Sequence, residues 1–272
     1  MKTAVLIQTH KNAKYILALG RRYKDIRFYI HVDKKSDPVY SEIKKNMTGN
    51  IFLIEDRCSV YWGGSSQYKA TLKLINAAYE NKDNEYFHLV SGECVPLIDF
   101  NEMERLWAPG TNYIECKKRK DTEWRLKIKV FYSDSDFIRT FVGRILNRLH
   151  RYVATLYNFT GVDVNAIFYG SQWFSINRDF VSKIVLVYKE KIFFDFFENI
   201  SCSDDHVFQM LAKSLHVSVN ENNKRYIVFR EGNNSPEYLS SAQLISAGEN
   251  GYWFARKLHE NNLIDFIEKD NG

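Results

Sequence analysis

Cysteine is scarce, and its four positions, Cys58, Cys94, Cys116 and Cys202, lie far apart with no C-x-x-C pair among them. That spacing argues against a zinc knuckle. So few cysteines in so long a chain also argue against a disulfide framework, and a reducing compartment is the simplest reading. No apolar run is long enough to span a bilayer. The apolar start, Ala4 to Ile7, breaks at Gln8-Thr9-His10-Lys11 and is too short for a signal peptide. The chain is therefore expected to be cytoplasmic, at most peripheral at the inner face of the plasma membrane. There is no internal repeat and no Pro/Gly/Ser-rich linker, so residues 1–272 are read as one domain. Strong charge is missing too: the net charge is +5, less than a dedicated nucleic-acid binder shows. It favours anionic small molecules or an anionic membrane face as partners.

What is present is ordinary globular composition, with 45% hydrophobic and 26% charged residues. Aromatics are abundant at 15%, enough for a core or for a sugar-binding cleft. Strands are expected at Thr3–Ile7, Arg27–Val32, Asn50–Ile54 and Tyr86–Val90. Helices are expected over residues 13–22 and 66–80, the second with Ala70, Leu72, Leu74, Ile75 and Ala78 on its apolar side. This alternation predicts an α/β fold, a mainly parallel sheet with helices on both faces. Such sheets bind ligands beyond the carboxyl ends of their strands.

The segments just past those ends are unusual. Asp33 closes the second strand and can accept a hydrogen bond from a ribose or a base. Trp62 precedes Gly63-Gly64, where backbone can approach a ligand closely. Ser91-Gly92-Glu93 puts an acid at the centre of the sheet edge. Each has a plainer reading as a turn or a capped loop; together they favour a nucleotide-sugar cleft. Further on, a strand over residues 112–116 carries Glu115, placed to meet acceptor hydroxyls, and leads into the basic run at residues 117–120. Asp134-Ser135-Asp136 matches the D-x-D tripeptide of metal-dependent sugar transferases but reads better as a polar loop. Arg139 to Tyr152 is an amphipathic helix. It reads as a helix covering the core with a solvated basic face; the other reading is a helix lying on an anionic membrane. Gly170-Ser171 forms a tight turn able to approach a donor sugar, with Trp173 behind it. A helix is expected over residues 179–190, a late strand over residues 225–230 and a turn at residues 233–236.

Ser201 to Gln209 organises the remainder. Two adjacent carboxylates, Asp204 and Asp205, precede an apolar helical pattern, which reads as a helix N-terminus with Asp204 as its cap. Asp205 then projects from the first turn, where an ionised carboxylate can serve as general base.

Ile30-His31-Val32-Asp33, Trp62-Gly63-Gly64-Ser65, Ser91 to Leu97, Gly170-Ser171-Gln172-Trp173, Ser203-Asp204-Asp205 and Phe254-Ala255-Arg256-Lys257 span nearly the whole chain. In this order they resemble the core-2/I-branching β-1,6-N-acetylglucosaminyltransferases and peptide O-xylosyltransferases of glycosyltransferase family 14. The resemblance implies a GT-A-like fold with a nucleotide-binding half (1–110) and an acceptor and catalytic half (111–272). It implies a UDP-sugar donor, a glycan or lipid-linked glycan acceptor, inversion at the anomeric carbon and no metal or other cofactor. The catalytic base maps onto Asp205, where the family has glutamate, with Asp204 and Glu93 as substitutes. The lysine that neutralises the donor diphosphate maps onto Lys257, with Arg230 as the assisting arginine and Arg225 as its competitor. His10, Asp33, Trp62, Gly63, Gly170, Ser171 and Arg256 complete the implied donor site; Glu93, Glu115 and Trp173 form the acceptor site. Cys94 stands where the family has aspartate. The fit is to a bacterial enzyme of surface-polysaccharide synthesis. A glycan-binding relative without activity and a membrane-surface adaptor are the alternatives.

Overall fold

In the computed structural model, which describes residues 1–118, 121–232 and 235–269, the first strand, β1 (Thr3–Thr9), lies between two parallel neighbours. β2 (Arg27–Val32) flanks it on one side and β4 (Tyr86–Ser91) on the other. β3 (Ile51–Leu53) extends the sheet beyond β2. Past β4 the direction reverses: β7 (Ser175–Asn177) pairs antiparallel to β4, then β6 (Asn112–Tyr113) and β8 (Val219–Asn220) complete seven strands. A second, three-stranded sheet has β10 (Phe254–Arg256) between β5 (Cys94–Pro96) and β9 (Arg225–Ile227). The fold is the expected mainly parallel α/β arrangement. The basic positions 119 and 120 and the turn positions Asn233 and Asn234 lie outside the described residues.

Strand periodicity explains the layering. Val5 and Ile7 of β1 point into one core while Ala4 and Leu6 point into the other, as successive strand side chains must. The first core is closed by α1 (Ala13–Arg22), α2 (Asp37–Asn46), α4 (Phe100–Arg105), α9 (Ser241–Glu249) and α10 (Glu260–Lys269), together with the small sheet. The second is closed by α3 (Ser66–Glu80), α6 (Arg178–Glu190), α7 (Ile192–Phe196) and α8 (Val207–Ser214).

The amphipathic helix, α5 (Phe141–Leu156), departs from the core-covering reading. Only Gly143 and Ala154 of its residues are buried, and Phe141, Leu149, Tyr152 and Leu156 are each more than half exposed. Most of its apolar side faces solvent, while Leu146 packs against the small cluster of Val130, Tyr132 and Ile138. Gly143 lies so close to the Phe137 carbonyl that a Cβ would not fit, which seats that side of the helix on the preceding 3₁₀ turn, Asp136–Arg139.

Arg225 joins the two sheets. It is buried, and its guanidinium donates to Ser175 Oγ (2.6 Å), Asn223 O (2.6 Å), Leu89 O (3.1 Å) and Phe174 O (2.5 Å). Burial among neutral acceptors lowers its pKa to about 9. Arg225→Ala is expected to destabilise the protein by about 3 kcal/mol or more, because several buried acceptors lose their donor. Urea unfolding of the variant measures this, and a change within error of zero would refute the clamp.

Candidate active site

A cleft of about 430 Å³ opens at the carboxyl ends of β1, β2 and β4, where the crossover connections diverge to either side of β1. The chain after β1 contributes His10 and Lys11, the chain after β2 Asp33 and Lys35, and the turn after β4 Gly92 and Glu93. Tyr61 and Trp62 come from the loop before α3, Asp136 and Arg139 from the 3₁₀ turn before α5, and Gln172 and Trp173 from the segment before β7. Arg256 enters from the small sheet.

Several charges inside this cleft are already paired. Glu93 sits between Lys11 Nζ (2.8 Å) and Arg256 Nη2 (3.8 Å), and its backbone N–H donates to Ser91 Oγ (3.2 Å). The Arg256 guanidinium also lies 4.9 Å from the centre of the Trp173 ring, within cation–π range. Asp33 accepts at Oδ1 from the backbone N–H groups of Lys35 (3.0 Å) and Val60 (3.3 Å), tying the end of β2 to the Tyr61–Trp62 loop. Lys35 donates to Val60 O (2.7 Å) and rests over the Tyr61 ring. Desolvation, with Lys11 adding to it, holds the His10 imidazole below its ordinary pKa. His31 is buried at the cleft floor, and its pKa is lowered to about 4, mainly by desolvation. His31 Nε2 accepts from the Cys58 N–H (3.1 Å), so the ring proton of the neutral imidazole is on Nδ1, a buried atom with no hydrogen-bond partner among the described residues.

Of the expected site residues, His10, Asp33, Trp62, Glu93, Trp173 and Arg256 line this one cleft. The others stand elsewhere. Gly63 has φ 73° and binds the Cys202 N–H through its carbonyl (2.8 Å). A Cβ on Gly170 would collide with the Glu115 carbonyl, so that glycine serves close packing of the chain on itself. Glu115 accepts from Lys117 Nζ (2.9 Å) and the Ser171 N–H (3.0 Å). Lys257 donates to Ser235 Oγ (2.7 Å) and lies over the Tyr238 ring. Arg230 is largely exposed and paired with Glu237.

Asp205 is not among the residues that line the cleft. Its carbonyl accepts from the Gly170 N–H (2.9 Å), and its carboxylate is 3.6 Å from Arg125. Asp204 is not the expected helix cap. Ser203–Asp205 forms a 3₁₀ turn, α8 starts at Val207, and no side chain caps it. Asp204 is instead buried, and desolvation raises its pKa to about 6. The D-x-D acids are split. Asp134 Oδ1 accepts from both the N–H (2.9 Å) and the Oγ (2.6 Å) of Ser66, in the first turn of α3, whereas Asp136 reaches the cleft. Among the described residues no group of three or more His, Cys, Asp or Glu could hold a metal ion, and no helix is long and apolar enough to cross a membrane.

Sequence reasoning did not place Arg139, Lys35 or His31 in the cleft. His31 carried a usable signal, two residues before Asp33 in a strand end. Arg139 carried none, since its place depends on the long excursion from residue 114 onward.

The model of the core-2/I-branching enzymes matches residues 6–243. The chain belongs to that family of glycosyltransferases. A stretch of 84 residues is 33% identical to xylosyltransferase sqv-6 of Caenorhabditis briggsae and 32% identical to that of Caenorhabditis elegans. Each match covers 29% of this chain and 10% of the xylosyltransferase, so it spans about a tenth of those relatives. Among solved structures, 4-diphosphocytidyl-2C-methyl-D-erythritol synthase from Anaerococcus prevotii is similar at 15% identity and a TM-score of 0.38. That match covers 92% of this chain and 96% of the synthase. Mouse xyloside xylosyltransferase 1 in its apo form is similar at 9% identity and a TM-score of 0.34, covering 80% and 84%.

Burial of Asp204 has a signed consequence. In the unfolded chain its carboxyl ionises near 3.8; in the fold it holds its proton to about pH 6. The folded state thus binds more protons in that window, and the Asp204 contribution makes stability fall as pH rises from about 4 to about 6. Asp204→Asn removes this contribution, so its stability relative to wild type should rise across the window. Urea unfolding at pH 4, 5, 6 and 7 checks it, and a pH-independent difference would refute it.

Proposed function

We propose that the chain transfers a sugar from a UDP-sugar to a glycan hydroxyl, with inversion and without a divalent ion, in polysaccharide synthesis. The observation that carries this reading is the cleft at the ends of β1, β2 and β4. It combines Lys11, Lys35, Arg139 and Arg256 with Trp62 and Trp173, cations for a diphosphate and rings for a nucleoside and a sugar.

In the proposed reaction Asp205 accepts the proton of the acceptor hydroxyl while that oxygen bonds to C1 of the donor sugar. The bond from C1 to the diphosphate oxygen breaks on the opposite side, and the nucleoside diphosphate leaves. Two features support Asp205 as the base. Its carboxylate is about a quarter exposed, and its backbone holds the Gly170 end of the segment whose other end, Gln172 and Trp173, lines the cleft. Arg256, which lines the cleft, takes up the charge of the leaving group, since preorganised cations stabilise charge as it develops; Lys257, held by Ser235 and the Tyr238 ring, would have to turn from that position to assist. The assisting arginine is better assigned to Arg139, which lines the cleft, than to Arg230, which is paired with Glu237 outside it. Metal independence is supported by the engagement of Asp134 with Ser66, which leaves Asp136 alone of that pair at the cleft. N-acetylglucosamine is the proposed donor sugar. The stretch similar to xylosyltransferases makes xylose the second reading, and thermal shift with the two UDP-sugars separates them.

Asp205→Asn should lower the transfer rate roughly 10²–10⁴-fold while UDP affinity by calorimetry stays near wild type. Near-normal turnover would move the base to another residue. Transfer should also proceed at full rate in excess EDTA, and strict dependence on added Mn²⁺ would overturn the metal-free assignment.

A further inference from the structure

Most of the apolar side of α5 is turned away from the protein; its Leu146 edge packs against Val130, Tyr132 and Ile138. At 3.6 residues per turn, Phe141, Val142, Ile145, Leu149, Tyr152 and Leu156 share one arc of roughly 100°. All six are exposed, from 42% for Ile145 to 73% for Phe141. Tyr157 and Phe159 continue the exposed apolar surface past the helix end. Isolated exposed hydrophobics need no explanation, but a contiguous strip of this kind marks an interaction surface.

Charge decides between occupants. Arg144, Arg148 and Arg151 are exposed and form the flank next to the apolar arc. From Phe137 to Val162 the chain carries four arginines and no aspartate or glutamate. A second copy docked through this strip would bring two arginine flanks together with no carboxylate on either helix to meet them. An anionic bilayer surface supplies what both parts need, acyl chains for the apolar arc and phosphate headgroups for the arginines, whose long side chains can reach outward. We propose that α5 lies in the interface of an anionic membrane and docks the protein there peripherally. The 3₁₀ turn that supplies Asp136 and Arg139 to the cleft runs directly into this helix. Docking through α5 therefore sets the cleft beside the lipid surface. The docking inference stands on the helix and does not depend on the transferase reading.

Cosedimentation of the full chain with vesicles tests it. One set of vesicles is pure phosphatidylcholine and the other contains added phosphatidylglycerol. The protein should pellet with the anionic vesicles and little with the neutral ones. Two variants change only exposed side chains, Ile145→Gln with Leu149→Gln, and Arg144→Gln with Arg148→Gln and Arg151→Gln. Each should keep the wild-type circular dichroism spectrum. The triple variant should bind anionic vesicles about 100-fold more weakly, the effect of three basic residues at such a surface. The double variant should bind detectably more weakly as well. The proposal is overturned if the wild type does not pellet with anionic vesicles at low salt, if neutral vesicles bind equally well, or if both variants bind like wild type. It is also overturned if light scattering without lipid finds a dimer that Ile145→Gln with Leu149→Gln dissociates, since a second copy would then be the occupant.

Discussion

The position of β1 between β2 and β4 is the constraint on which the rest of the molecule depends. A first strand hydrogen-bonded on both sides sends its neighbours' connections in opposite directions, and the crevice between them cannot be filled by either. The polar groups just past β1, β2 and β4, among them His10, Lys11, Asp33, Lys35 and Glu93, are thereby delivered to one place. The Asp33 contacts to Lys35 and Val60 and the Glu93 contacts to Lys11 and Arg256 then fix the walls. This cleft is a property of chain topology first and of side-chain chemistry second.

Reversal of the sheet past β4 makes a second demand. Parallel strands on one side of β4 and an antiparallel partner on the other leave the small sheet to be anchored across the junction. Arg225 does this with one buried cation, reaching β4, β7 and the turn before β9. A residue that competes on sequence for a role at a diphosphate is occupied by backbone carbonyls. An arginine can span several elements in this way because its planar fork presents five donors.

Legibility from sequence followed locality. β1, β2, β4, α1 and α3 were readable to within about two residues, because each carries its own apolar period and its own turn signals. α2 buries only Ile43, and α9 only Leu244 and Ala247, so neither has a pattern to read. The strand expected over residues 112–116 is found as the two residues of β6, whereas β8 is a two-residue strand that exists only through a partner far away in the chain. The same division holds at the cleft. His10, Asp33, Trp62 and Glu93 follow local strand ends, whereas Arg139 arrives on an excursion that no local rule describes. Asp204 misled for a different reason. Aspartate before an apolar run is good evidence for a cap, but the 3₁₀ turn delays the helix and draws the carboxyl into the interior.

The pairing of Glu93 with Lys11 and Arg256 bears on how tightly an anion can be held there. Those cations are not bare, so an anionic group entering the cleft would gain only the difference between its own attraction and the one it displaces. The same carboxylate reclaims them when the anion goes. A pocket with an internal counter-anion therefore trades grip for turnover, and it favours ligands whose charge exceeds that of a single carboxylate.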